Sequence, residues 1–182
     1  MTRLALVIDL NKCILCHACT VSCKIHHDLP LGQFWNEVFT VGPSGEFPHT
    51  SLYGFPKACM QCDKPACVSV CPARATEKDK ETGVVKIYED KCVGCRSCIV
   101  ACPYGARAFD ETKGTTFKCE LCPERREQGK QPICVETCVG GARVFGDIDD
   151  PNSEAYKVIH EKHAVRYLEH LGTEPCTSYV PA

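Results

Sequence analysis

At 182 residues the chain has room for one ordinary domain or two small ones, and one Trp, two Met and seven Phe are thin material for a large apolar core. Seventeen cysteines are far more than a globular chain carries by default, so a crosslink must replace part of that core. The net charge of −2 comes without a basic block or arginine stripe, which excludes nucleic acid as a partner.

In chain order, Leu4-Ala5-Leu6-Val7-Ile8 reads as a buried strand. The run is too short for a secretory h-region, no twin-arginine signal is visible, and no apolar stretch approaches a membrane span. The expectation is a cytoplasmic chain that reaches a membrane only through a partner, with export beside a signal-bearing partner left open. In reducing surroundings thiols serve metals more often than each other.

The first cysteine group, Cys13-x2-Cys16-x2-Cys19-x3-Cys23, follows at once. Residues 24–56 include Pro30, Phe34, Trp35, Pro43, Pro48 and Phe55-Pro56. They read as a long connection with little regular structure, of the kind that is usually a functional or interface element. Trp35 is either a partner-facing anchor or a core filler; His17, His26 and His27 read as surface or packing residues rather than ligands. The second group is Cys59-x2-Cys62-x4-Cys67-x3-Cys71, followed by Pro72. Val84 to Tyr88, after Thr82-Gly83, carries a hairpin signal. The third group is Cys92-x2-Cys95-x2-Cys98-x3-Cys102 with Pro103 behind it, and the fourth is Cys119-x2-Cys122-x11-Cys134-x3-Cys138. Val144-Phe145 reads as a short strand. Asp150 and Pro151 read as N-cap and first position of a helix over residues 151–161. Residues 146–182 read as an interface extension, and Cys176, which has no companions, as a buried or interface-covered small hydrophobe.

Four groups of four, each closing on Cys-x3-Cys, are an internal repeat. In a Cys-x2-Cys-x2-Cys loop three sulfurs can converge on one cubane; the fourth thiolate, expected at the start of a helix, points away to the other cluster of a pair. Zinc asks only for two Cys-x2-Cys pairs, so the third cysteine and its successor are surplus to it. The Cys-x3-Cys-x2-Cys signature of radical enzymes is absent. The repeat continues past the ligands, with Ala75, Ala106 and Ala142 at one step and Gly105 and Gly141 suited to positive φ. Four oxidised [4Fe–4S] clusters on sixteen thiolates would carry the chain to a net charge of about −10.

Proline follows the second and third groups but not the first and fourth, which suggests one two-cluster module nested inside another. Cys13, Cys16, Cys19 and Cys138 would hold one cluster, and Cys119, Cys122, Cys134 and Cys23 another. Cys59, Cys62, Cys67 and Cys102 would hold the third, and Cys92, Cys95, Cys98 and Cys71 the fourth. Pairing neighbours in sequence is the alternative, with the same ligands. The expected fold is α+β: an outer ferredoxin-like module of residues 1–23 and 103–145, and an inner one of residues 57–102. The connection 24–56 and the extension 146–182 complete the chain.

The pattern resembles the four-cluster iron–sulfur subunits of complex iron–sulfur molybdoenzymes, such as dimethyl sulfoxide, polysulfide and arsenate reductases. The resemblance rests on Val7-Ile8-Asp9 through Cys13, on Lys91-Cys92-Val93-Gly94-Cys95 through Arg107, and on Lys118-Cys119-Glu120-Leu121-Cys122. Phe145-Gly146-Asp147, Asp150-Pro151-Asn152-Ser153 and Gly172-Thr173-Glu174-Pro175 extend it. It implies a non-catalytic electron-transfer subunit alongside a large molybdenum- or tungsten-pterin subunit, often with a membrane anchor that exchanges electrons with quinone. It also implies the nested pairing. Val139 stands where many members have proline, and His17 where glycine is common. A freestanding polyferredoxin and a zinc-stabilised interaction module are the rival readings.

Overall fold

The computed structural model describes residues 2–182. The first strand, β1 (Leu4–Asp9), is buried on both faces, and its period of two divides its side chains between two cores. Leu6 and Ile8 pack with Met60, Tyr104, Leu121 and Tyr179 on the side of the cysteine groups. Ala5 and Val7 pack with Ile148, Ala155 and Cys176 on the other.

Helix α1 (Ala18–His26) leads into a hairpin of β2 (Glu37–Ser44) and β3 (Ser51–Lys57). The connection expected to hold little regular structure is therefore largely a β-hairpin, paired from Glu37 with Lys57 to Ser44 with Ser51. Its prolines obscured it: Pro43 lies where the register slips, and Pro48 lies in the turn, so neither interrupts the runs around Phe39 and Tyr53.

Two short hairpins follow the second and third groups. Helix α2 (Ala66–Ser69) precedes β4 (Thr76–Lys78) and β5 (Val85–Ile87), and α3 (Ser97–Val100) precedes β6 (Ala108–Asp110) and β7 (Thr115–Phe117). Both turns are Asp-x-x-x-Gly. Asp79 accepts from the Glu81 and Thr82 amides, and Asp110 from those of Thr112 and Lys113. Gly114 of the second turn approaches Gly94 of the third cysteine group, and Thr116 lies beside Cys98. The hairpin of β6 and β7 thus packs on the third cysteine group.

Helices α4 (Pro123–Arg126) and α5 (Ile133–Glu136) lead to β8 (Arg143–Asp147). Then come α6 (Glu154–Glu161), β9 (Val165–Arg166) and β10 (Ser178–Val180). The main sheet has the order β8-β1-β10-β9, with β8 antiparallel and β10 parallel to β1. The extension is accordingly a structural element, since β10 fills the edge of β1 and Tyr179 enters the core. The helix expected over 151–161 begins only at Glu154. Asp150 is spent on a turn, its carboxylate accepting from the Asn152 amide and its carbonyl from the Ser153 amide, and Ser153 occupies the N-cap position.

Helix α1 packs on α5, and α2 packs on α3. Across these two units, the buried Gln61 amide donates to the Cys119 carbonyl (3.0 Å) and accepts from the Val85 amide (2.9 Å). Among the described residues no helix is long and apolar enough to cross a membrane.

Candidate metal centres

Each cysteine group begins with the same backbone event. Leu15, Gln61, Gly94 and Leu121, each two residues past the first cysteine, have φ of 58°, 50°, 66° and 60°. A left-handed residue there curls the chain so that successive thiols face inward. For the three non-glycine residues it costs about 1–2 kcal/mol each, which must be recovered elsewhere. Glycine stands only at Gly94, where a Cβ would meet the Gly114 carbonyl oxygen at 2.5 Å. Gly54 on β3 serves a similar end: a Cβ there would lie 2.7 Å from Cys13 Sγ.

The helices carry the later ligands differently from the expectation. Cys67, Cys98 and Cys134, the third cysteines of their groups, lie inside α2, α3 and α5, while Cys71, Cys102 and Cys138 follow those helices. Cys19 and Cys23 both lie in α1. The fourth thiol is thus delivered from the end of a helical turn or from its body, because Cys-x3-Cys spans one turn. Left-handed His17 and Arg96 stand before α1 and α3, whereas Pro65 and Pro132 stand before α2 and α5.

All sixteen grouped cysteines are free thiols. Cys71 lines one cavity with Cys92, Cys95 and Cys98. Cys138 lines another with Cys13, Cys16 and Cys19. Burial, then repulsion from Cys119, Cys134 and Cys122, pushes the Cys23 thiol far up. Burial, then Cys59, Cys67 and Cys102, pushes Cys62 up to about 12. Cys19 also acts electrostatically on Cys134, and Cys59 on Cys119. Cys176 is buried apart from all of them, pushed up to about 12 by burial and then by Asp63.

The surroundings differ from set to set. Burial raises Cys119 and Cys134, and it takes Cys122 to about 11. Cys92 is held below the ordinary thiol value: burial opposes this, but hydrogen bonds from Thr116 and Gly94 prevail. The exposed Cys95 is lowered by the Ser97 hydroxyl and amide. His26 pairs with Glu124 (2.7 Å), and His27 Nε2 lies 3.3 Å from Cys122 Sγ, its pKa lowered chiefly by burial. Trp35 is half-buried against the His27 ring at 4.4 Å, with its Nε1 unpartnered. The core-filling reading of Trp35 fits this placement.

Three buried cations complete the setting, and spacing alone did not single them out. Lys118 Nζ donates to the carbonyls of Val85 and Cys119. Arg107 Nη2 donates to Cys67 Sγ (3.1 Å) and Thr76 Oγ1 (2.8 Å). Arg143 donates to Asn36 Oδ1, with its Nη1 3.7 Å from Cys134 Sγ. The signal that could have found the arginines is their shared offset, five residues past Cys102 and Cys138.

These residues fit an iron–sulfur group. Four thiols converge on each cavity, a Cβ is withheld beside Cys13, and the buried Arg107 leaves Nε and Nη1 without a partner in the chain. Orphaned cationic donors among thiols suit an anionic, sulfide-rich ligand.

Comparison with known proteins agrees. Residues 50–148 match a 4Fe-4S dicluster domain and residues 10–33 a 4Fe-4S binding domain. The chain is 42% identical to a sulfite dehydrogenase subunit of Allochromatium vinosum, over 100% of this chain and 84% of that one. It is 39% identical to a putative dimethyl sulfoxide reductase iron-sulfur subunit of Halobacterium salinarum, over 99% of this chain and 79% of the relative. It is 42% identical to a tetrathionate reductase subunit of Salmonella typhimurium, over 98% and 72%.

Proposed function

The chain belongs to the iron–sulfur subunits of complex iron–sulfur molybdoenzymes, and from that premise we propose how its cysteines are shared out and what stands at either end. It binds [4Fe–4S] clusters and carries electrons between a catalytic subunit and a redox partner. Four clusters occupy four crossed sets, each taking three thiols from one group and the fourth from another. Cys13, Cys16, Cys19 and Cys138 form one end site, and Cys71, Cys92, Cys95 and Cys98 the other. Between them lie the sites of Cys23, Cys119, Cys122 and Cys134 and of Cys59, Cys62, Cys67 and Cys102.

The observation that carries this reading is the company kept by Cys71 and Cys138. Each lines a cavity with three thiols of a distant group rather than with its own. The packing of α1 on α5 and of α2 on α3 supports the nesting of residues 57–117 between the two parts of an outer module. When bound, the clusters supply one-electron redox chemistry, so that a two-electron reaction at a partner is divided into single transfers. The chain fixes the order of the sites, buries the four thiols of the Cys122 site and leaves the outer two sites, at Cys16 and Cys95, open to the surface.

Exposed apolar side chains rim both ends: Ile14 and Val139 beside the Cys16 site, Val93 and Val100 beside the Cys95 site. Each rim suits the docking of a partner. One partner is a molybdenum- or tungsten-pterin catalytic subunit; the other is a quinone-linked membrane subunit or a soluble carrier. The chain contributes no catalytic residue, and it works on the cytoplasmic side. Anaerobic native purification with metal assay tests this: a large pterin-bearing partner and about 16 irons per chain are expected. A brown chain eluting alone would favour a freestanding carrier, and a colourless zinc protein would overturn the reading.

A further inference from the structure

Arg107 and Arg143 are 6% and 3% exposed, and among the described residues neither pairs with a carboxylate. A buried cation without a counter-charge is strongly unfavourable, so each needs an anion that the polypeptide's carboxylates do not provide. Their neighbours show where it lies. Arg107 lines the cavity of Cys71, Cys92, Cys95 and Cys98, yet its Nη2 donates to Cys67 of the neighbouring set. Arg143 lines the cavity of Cys13, Cys16, Cys19 and Cys138, yet its Nη1 approaches Cys134 of the neighbouring set. The two arginines occupy equivalent positions in the repeat, and each stands between the two sets of its module.

Resting on the grouping proposed above, we infer that Arg107 and Arg143 are potential-setting cations, one per module, each shared by both clusters of its pair. A cation between two sites favours the more negative, reduced state of both. It also offsets the repulsion that the first electron would exert on the second. Neither arginine touches substrate; their part is electrostatic and orienting. The unpartnered Nε and Nη1 of Arg107 are the donors left for its ligand.

The test is potentiometric electron paramagnetic resonance on the whole complex, purified anaerobically with Arg107→Gln, Arg107→Lys or Arg143→Gln. Arg107→Gln should move two of the four cluster signals to lower potential, by about tenfold in the reduced-to-oxidised ratio at fixed potential, or about 59 mV for one electron. Arg143→Gln should move the other two, and Arg107→Lys should recover most of the first shift. Unmoved potentials in variants that retain their iron would overturn the inference. So would one signal moving alone, or overlapping pairs. If a glutamine variant fails to assemble, the native complex labelled with nitrogen-15 arginine decides. Hyperfine coupling from guanidinium nitrogen to the reduced clusters is expected, and its absence contradicts the inference. The unsubstituted complex reports separately on the cluster count on which that grouping depends: fewer than four signals would overturn that reading at its root, before any arginine variant is compared.

Discussion

The site around Cys95 and the site around Cys122 each gather four thiols and solve opposite problems. Cys95 is exposed, and local donors favour its thiolate: the Ser97 hydroxyl and amide act on Cys95, and Thr116 and Gly94 act on Cys92. Around Cys122 burial drives the thiols toward their neutral form against the Ile133 amide, and His27 and Arg143 are the nearby polar side chains. At an end site water shares the task of solvating the charge. A middle site must bring its own donors, and without iron its thiols remain protonated. Loading the buried site should therefore couple more strongly to folding than loading the exposed one.

Ligand removal gives the largest contrast. Cys119→Ala should lose about four irons and most of the folded yield, since the Cys119 thiol is buried and its site has no solvent to make up for a lost ligand. Cys95→Ala should lose one cluster and leave a folded chain; iron assay and circular dichroism separate the two outcomes. Equal loss of yield would remove the distinction between middle and end.

Next in size are the donors to sulfur. His27→Phe keeps a ring against Trp35 and removes the Nε2 contact with Cys122. One such bond is worth about 1 kcal/mol, so the potential of the buried cluster should fall by about 40 mV. Thr116→Val should lower the exposed end cluster by less, because Thr116 Oγ1 lies at 3.5 and 3.8 Å from Cys98 and Cys92 Sγ.

The smallest effect lies across β1, at the one cysteine outside the four sets. Cys176 is raised by burial to about 12 from 9.0, so its contribution to stability is intact below pH 9 and fades as pH rises toward 12. In the native protein iodoacetamide at pH 8.5 should leave it unmodified, as mass spectrometry would show, and unfolding should make it reactive.

Much of this was legible beforehand for a plain reason: cluster ligation writes itself in spacing. The four cysteine groups, the strand at Leu4–Ile8 and the short strand near Val144 need only local pattern. The hairpin of residues 37–57 was harder, because its prolines resemble punctuation until pairing shows that they sit at the slip and the turn. The left-handed turns at Leu15, Gln61 and Leu121 leave no glycine to mark them, since thiol convergence rather than residue preference imposes them. Asp150 carries an N-cap signature yet caps a turn, because a short side chain satisfies either geometry. The roles of Arg107, Arg143 and Asn36 depend on contacts across the fold, up to 107 residues apart in sequence.

The central claim is that each cluster takes its fourth thiol from a distant group, and paired ligand substitution tests it most directly. Cys16→Ser, Cys138→Ser and Cys122→Ser variants would each be reduced and examined by electron paramagnetic resonance. The account predicts that Cys138→Ser alters the same signal as Cys16→Ser and spares the one altered by Cys122→Ser. If Cys138→Ser instead alters the Cys122 signal, each group closes on its own cluster, and the crossed arrangement is wrong.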